Sequence, residues 1–160
     1  MIIAIISDVH DNKPYLTAFL STIKADALLI CGDVGNIDTL NLISKSFNGQ
    51  IYFVFGNADT FDKKGIPKNI TNLGEMGIIE LDGQKIGLCH EPRKIVETRH
   101  GVSLLKQKPK IIFYGHTHKP WLEEKDKVLL INPGSLGQTP STYAVWDTSR
   151  ATPELKITKI

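Results

Sequence analysis

The chain has 160 residues, 41% of them hydrophobic, and its 19 basic and 17 acidic side chains nearly cancel to a formal charge of +2. That length suits one domain, expected over residues 1–160, with a substantial core, and the scattered charges give neither a nucleic-acid tail nor a membrane patch. No apolar run approaches membrane-spanning length, and Met1 leads through apolar residues to Asp8 without a secretory signal, so a cytoplasmic location is expected.

Ile2, Ile3, Ala4, Ile5 and Ile6 form a continuous apolar run with strong β character, as in a strand covered on both faces. Ser7, Asp8, Val9, His10, Asp11 and Asn12 crowd its end. Asp8 and His10 point to one side if the chain stays extended there. Read alone, the same residues also suit a turn with a helix cap. Helical spacing of Leu16, Phe19, Leu20 and Ile23 predicts an amphipathic helix over 15–25.

A second strand, 27–31, ends in Gly32 and Asp33, and a second helix is expected over 39–47 with Asp38 as its N-cap. The third strand, 51–55, runs into Gly56, Asn57, Ala58 and Asp59. Strands alternating with helices, each strand followed by a polar loop, imply βαβ units, a parallel sheet and all the loops on one edge. Cys31 and Cys89 both follow apolar residues and read as buried reduced thiols.

In the second half, 78–81 and 85–89 read as a hairpin closed by Asp82-Gly83, whose second strand ends at His90. A helix is expected over 95–106, stopped by Pro109, and then comes a strand, 111–114. It leads into Gly115, His116, Thr117 and His118, two imidazoles one residue apart at a strand end. Further strands, mostly antiparallel, are expected at 121–124, 128–131, 142–147 and 154–160, with Asn132, Pro133, Gly134 and Ser135 forming a sharp turn.

The candidate ligands are Asp8, His10, Asp33, Asn57, His90, His116 and His118. This donor set exceeds one closed tetrahedral zinc site and suits two adjacent metals sharing a carboxylate. Its imidazoles favour manganese, nickel, iron, cobalt or zinc over magnesium or calcium.

In this order the motifs resemble those of the calcineurin-like metallophosphoesterases, in particular their small bacterial and archaeal phosphodiesterase branch. The resemblance rests on Asp8-x-His10, Gly32-Asp33, Gly56-Asn57-x-Asp59, His90, Gly115-His116-x-His118 and Asn132-Pro133-Gly134-Ser135. It implies an α/β fold of two packed mixed β-sheets flanked by helices, an αββα sandwich with a metal pair at one edge. Asp8, His10, Asp33 and His118 would hold one ion, Asp33, Asn57, His90 and His116 the other, with Asp33 as the bridge. It further implies hydrolysis of small phosphodiesters by a metal-bridging hydroxide. Asp33, Asn57 and His90 would act catalytically through that hydroxide and the phosphoryl oxygens, and Mn²⁺ is the expected cofactor. Asp59 is expected to orient the loop rather than to bind metal.

Two residues depart from the family pattern. Many larger relatives carry a histidine after the metal-binding asparagine, where this chain has Ala58, and the family usually has glycine where Glu91 follows His90. His100 matches no ligand position and is expected at a surface. Other readings are a non-catalytic scaffold, a role taken by the retromer subunit of this fold, and a nuclease, which the near-neutral charge disfavours. A homo-oligomer is compatible with the sequence.

Overall fold

A computed structural model describes residues 1–157, apart from the side chain of His100. The strand expected over 154–160 is seen as Glu154–Ile157, its remaining residues and the His100 side chain lying outside the described residues. The other strands are β1 Ile2–Ile6, β2 Ala27–Ile30, β3 Gln50–Phe53, β4 Ile70–Asn72, β5 Met76–Leu81, β6 Gln84–Cys89, β7 Ile111–Phe113, β8 Trp121–Lys125, β9 Val128–Asn132 and β10 Thr142–Asp147, with Glu154–Ile157 as β11. The helices are α1 Lys13–Thr22, α2 Ile37–Ser46, α3 Arg93–Glu97 and α4 Arg99–Lys106.

Two mixed sheets form, in the orders β11-β10-β1-β2-β3-β4 and β5-β6-β7-β9-β8. The period of two along each strand divides its side chains between layers. In β1, Ile3 and Ile5 face the second sheet and meet Leu88, Phe113, Ile131 and Trp146. Ala4 and Ile6 face α1 and α2, meeting Leu16, Phe19, Leu40 and Ile43. On the far side of the second sheet, Ile112 and Tyr114 pack with Ile95 and Leu104 of α3 and α4. The result is the expected αββα sandwich, in which each fully buried isoleucine contributes about 1.5–3 kcal/mol.

The element ends shift for local reasons. Helix α1 starts earlier than its apolar periodicity because the Asn12 side chain caps it and proline occupies the first turn. Helix α2 is capped by Asn36, which accepts from the N–H groups of Asp38 and Thr39, so Asp38 is not the cap. It lies in the first turn, where its charge complements the helix dipole.

The single helix expected over 95–106 is two helices, because Thr98 is extended (φ −111°, ψ 152°) and its hydroxyl caps Gly101 of α4. Strand β4 was not foreseen, being a three-residue segment too short to show a period. Asp82-Gly83 makes its predicted turn, with φ of +50° and +70°. Among the described residues no helix is long and apolar enough to cross a membrane.

Candidate metal centre

The predicted donors come from the carboxyl ends of β1, β2, β3, β6 and β7, which meet at one edge of the sandwich. Backbone bonds lock these loops together: Asp8 N–H to Gly32 O at 3.1 Å, His10 N–H to Asp33 O at 3.0 Å, and Gly115 N–H to His90 O at 3.0 Å. The chain does not stay extended through Asp8 and His10, as the sequence argument assumed. Asp8, His10, Asp33, His116 and His118 have φ of +55°, +45°, +54°, +71° and +58°. Left-handed backbone costs a non-glycine residue about 1–2 kcal/mol, and such strain concentrates where function requires it.

Close approach of these loops also explains two glycines. A Cβ on Gly32, at φ +86°, would lie 2.7 Å from both Gly56 N and His90 Nδ1. One on Gly115 would collide with Ser7 Oγ and come within 2.8 Å of Asp8 Oδ2.

All seven predicted donors are brought together. Around Asp8, its Oδ1 lies 3.1 Å from His118 Nε2 and 3.8 Å from His10 Nε2, and the two imidazole nitrogens are 3.1 Å apart. Asp33 Oδ2 lies 3.8 Å from His10 Nε2 on one side and 3.2 Å from His90 Nε2 on the other. Asn57 Oδ1 completes the second group, 3.2 Å from His90 Nε2 and 3.0 Å from His116 Nδ1. Asp33 therefore stands between the two groups. Asp8, Asp33 and His90 form a buried floor, while His10, Asn57 and His116 are exposed at the rim.

The donor chemistry fits cations. Asp8 Oδ1 is buried and has no hydrogen-bond partner among the described residues. Leaving such an atom without positive charge or a donor costs about 1–3 kcal/mol or more. The His90 Nδ1 lies 2.7 Å from the Cys31 carbonyl, which only accepts, so Nδ1 carries the proton. In neutral His90 the Nε2 lone pair then faces Asp33 Oδ2 and Asn57 Oδ1, both acceptors. That convergence is favourable only with a positive charge among the atoms.

The titration shifts follow the same logic. Burial raises Asp8 above the usual carboxylate range, against the lowering effects of the Ser7 hydroxyl and nearby imidazoles. Burial would also raise Asp33, but the His90 hydrogen bond, the Ala58 N–H and the charges of His90 and His10 leave it below its ordinary value. For His90, burial opposes the charged form and is outweighed by Asp33, the Cys31 carbonyl and Asp8, which raise it. Asp8 with His10 and His118, and Asp8 with Asp33 and His90, each bring ligand atoms close enough to share an ion.

A second layer positions the donors. Asp59 Oδ1 accepts from Val34 and Gly35 N–H at 2.8 and 3.1 Å, and its Oδ2 from Asp33 and Gly56 N–H at 2.9 and 2.8 Å. It thus holds the Asp33 loop to the Asn57 loop, as expected. Asn132 Nδ2 donates to Gly115 O at 2.8 Å and Thr117 Oγ1 at 3.0 Å, while Ser135 Oγ donates to Asp8 O at 2.8 Å. Gly134 N–H returns to Asn132 Oδ1, so the Asn132 to Ser135 segment is a turn that steadies two donor loops.

Sequence reasoning missed Gln138, whose side-chain amide lies 2.6 Å from His118 Nδ1. It stands in the loop whose Gly137 N–H bonds Asp8 O. No spacing rule marks a lone glutamine as the partner of a histidine 20 residues away.

Glu91 does not extend a bare charge over the site, because Lys94 Nζ lies 2.8 Å from its carboxylate. That hydrogen bond is the main cause lowering its pKa, with His116 and His90 adding smaller effects. The Ala58 methyl offers no proton, and its backbone N–H donates to Asp33 Oδ1 at 2.7 Å. Cys31 and Cys89 are buried free thiols, and burial pushes Cys89 up to about 12, which disfavours a thiolate ligand.

A family model described as the calcineurin-like phosphoesterase superfamily domain matches residues 1–151. The chain is 28% identical over 148 residues to a phosphodiesterase of Methanocaldococcus jannaschii, an alignment covering 84% of this chain and 83% of that relative. Among solved structures, a novel archaeal phosphodiesterase superposes with a TM-score of 0.81 at 23% identity, covering 98% of this chain and 99% of the other. Vps29 of Entamoeba histolytica, solved with zinc, superposes with a TM-score of 0.67 at 19% identity over 98% of each chain. At these identities the two structural likenesses show a common fold.

Proposed function

The chain belongs to the calcineurin-like phosphoesterase superfamily and is a phosphoric ester hydrolase, and from that premise we propose that it is a binuclear metal-dependent phosphodiesterase acting on small phosphodiesters. The observation that carries this reading is the convergence of seven donors in two groups that share Asp33. We assign Asp8, His10, Asp33 and His118 to one ion and Asp33, Asn57, His90 and His116 to the other, with manganese as the expected metal. Residues 1–160 would act as one domain, in the cytoplasm.

Divalent cations held here would supply Lewis acidity toward phosphoryl oxygens and acidify a bound water. The protein's part is to hold the donors rigid. His90 is fixed as the Nδ1–H tautomer by the Cys31 carbonyl, which aims Nε2 into the cleft. Exposed His10, Asn57 and His116 leave the rim open to a substrate, while buried Asp8 and Asp33 concentrate negative charge at the floor. The near-neutral charge favours a small diester over long nucleic acid. A scaffold has no physical need for this convergence.

The test is hydrolysis of bis-p-nitrophenyl phosphate and p-nitrophenyl phosphate by metal-stripped protein reloaded with manganese. Metal-dependent cleavage of the diester over the monoester is expected. Monoester preference would make the enzyme a phosphatase, and inactivity across manganese, nickel, iron, cobalt and zinc would favour the scaffold.

Two further outcomes are expected. With Ala58 in place of a proton donor, turnover should be slow for diesters with poor leaving groups. Ala58→His should accelerate those substrates selectively, up to about 10²-fold, the lower end of general acid assistance. Equal effects on good and poor leaving groups would remove Ala58 as the cause. Gln138→Leu should weaken manganese binding about 10-fold by freeing the His118 ring, read by calorimetric titration. Gln138 meets His118 Nδ1 through its amide Nε2, and Gln138→Glu, whose carboxylate can accept from an Nδ1–H, should retain binding; a similar loss in both variants would count against the orienting role.

A further inference from the structure

We propose that a groove on the outer face of the β5-β6-β7-β9-β8 sheet binds a small amphiphilic carboxylate, with its acid head among Lys108, Lys125 and Lys127 and its apolar body running toward the Tyr114 ring. The groove lies between this sheet face and helices α3 and α4, has a volume of about 790 Å³, and includes none of the seven donors in its lining. That volume falls within the range of small-molecule sites.

Its floor is apolar. Ile95, Leu105, Val128 and Leu130 line it, and the last two are only half-buried although they occupy an inner strand of the sheet. The register explains why. Lys125 pairs with Val128 and Glu123 with Leu130, so these side chains share one face, and edge strand β8 is exposed throughout.

Tyr114 closes the far end of the groove. The residue is 7% exposed and lines the groove, and its hydroxyl is not among the buried atoms left without a partner. Its ring therefore offers an alkyl tail apolar contact, while the hydroxyl makes no directional contact with the ligand.

Charge divides the groove lengthwise. Lys125 and Lys127 flank the β8–β9 turn, and the adjoining α4–β7 loop carries Lys108, because Leu129 N–H bonds Lys110 O at 3.1 Å. None of the three lysines forms an ion pair among the described residues, and Asp126 is the one acid of that turn. Toward the other end, Glu123 lies near Tyr114 and adds to the burial that raises its pKa. Arg93 of α3 lines the tyrosine end together with Glu123 and offsets its charge, so a carboxylate head is drawn to the other end by the three lysines clustered there. The lysine and tyrosine ends are separated by three residues of β7, about 10 Å, the reach of a medium-length alkyl chain.

Decanoate is the probe, titrated into the metal-loaded protein and followed by amide shifts, with decan-1-ol and acetate in parallel. Saturable shifts are expected in β9, Tyr114 and the Lys125 to Lys127 turn, at least 10-fold weaker binding of decan-1-ol, and no shifts there from acetate. Lys125→Glu combined with Lys127→Glu, both on exposed positions, should weaken decanoate at least 10-fold, and Tyr114→Phe, which keeps the ring against the alkyl tail, should leave its affinity unchanged within about twofold.

Equal binding of the alcohol, an unchanged affinity in the double variant, or shifts confined to the Asp8, His90 and His116 loops would overturn the proposal. So would absence of decanoate binding while an acidic amphipathic peptide shifts the same residues, which would make the groove a protein-docking surface.

Discussion

Asp33→Ala is expected to reduce metal-dependent diester hydrolysis by at least about 10³-fold, equivalent to about 4 kcal/mol of transition-state stabilisation. Asp33 Oδ2 is the atom within reach of both donor groups, 3.8 Å from His10 Nε2 and 3.2 Å from His90 Nε2. In the proposed assignment Asp33 is the carboxylate shared by both ions, so its loss strikes both, although Asp8 also lies within ion-sharing distance of His10 and His118 and of Asp33 and His90. The substitution also frees the Ala58 N–H, whose acceptor is Asp33 Oδ1 at 2.7 Å.

Asp33→Asn separates these roles. Its amide oxygen can still accept from Ala58, and its charge is gone. If activity depends on the bridging charge, both variants should lose activity and manganese stoichiometry together, with far-ultraviolet circular dichroism unchanged. An Asp33→Ala enzyme retaining more than about a tenth of its activity, on the same logarithmic scale, would remove Asp33 from the centre of the mechanism.

The second large effect is on the fold of the site itself. Asp59→Ala should destabilise the protein by about 2–4 kcal/mol, read as a lowered urea midpoint with an unchanged denaturant slope. Both carboxylate oxygens of Asp59 are occupied, one by Val34 and Gly35 and the other by Asp33 and Gly56, and all these partners are backbone N–H groups. Charged acceptors are worth more than neutral ones, and donors left without a partner add their desolvation cost.

Asp59→Asn is not a gentle control. One of its two polar atoms becomes an NH₂ group facing a pair of N–H donors, so the isostere should show more than half of the alanine effect. The network holds the loop after β2 to the loop after β3, so both variants should also weaken manganese binding while leaving the remote β5–β6 hairpin protected from hydrogen exchange. Burial raises the Asp59 pKa against these hydrogen bonds. The network is therefore a means of keeping loop geometry, and its own ionisation is opposed by the surroundings.

Much of this was legible in the residues because strand period and polar strand ends are local signals. The continuous apolar runs in β1 and β2 marked strands covered on both faces, and their Asp8 and Asp33 endings marked the loops. Asp-Gly marked the β5–β6 turn because glycine readily takes positive φ. The local rule failed at α2, where Asn36 rather than Asp38 caps the helix, since either side chain suits an N-terminus and backbone direction selects one. It failed again over 95–106, where Thr98 is extended and caps α4, a role its β-branched hydroxyl side chain favours and the apolar periodicity concealed.

The sequence by itself determined the alternation of strands and helices in the first half and the polar residues crowding the strand ends, because these follow from periodicity and residue chemistry, whereas the two-sheet sandwich was what the family resemblance implied. Tertiary structure alone decided how the donors meet. The left-handed backbone at Asp8, His10, Asp33, His116 and His118 is held by contacts between loops far apart in sequence. The pairing of Gln138 with His118, the four N–H groups gathered by Asp59 and the lysine-rimmed groove before Tyr114 likewise join segments that no local pattern relates. Side-chain direction and distance are properties of the packed chain, and only packing fixes them.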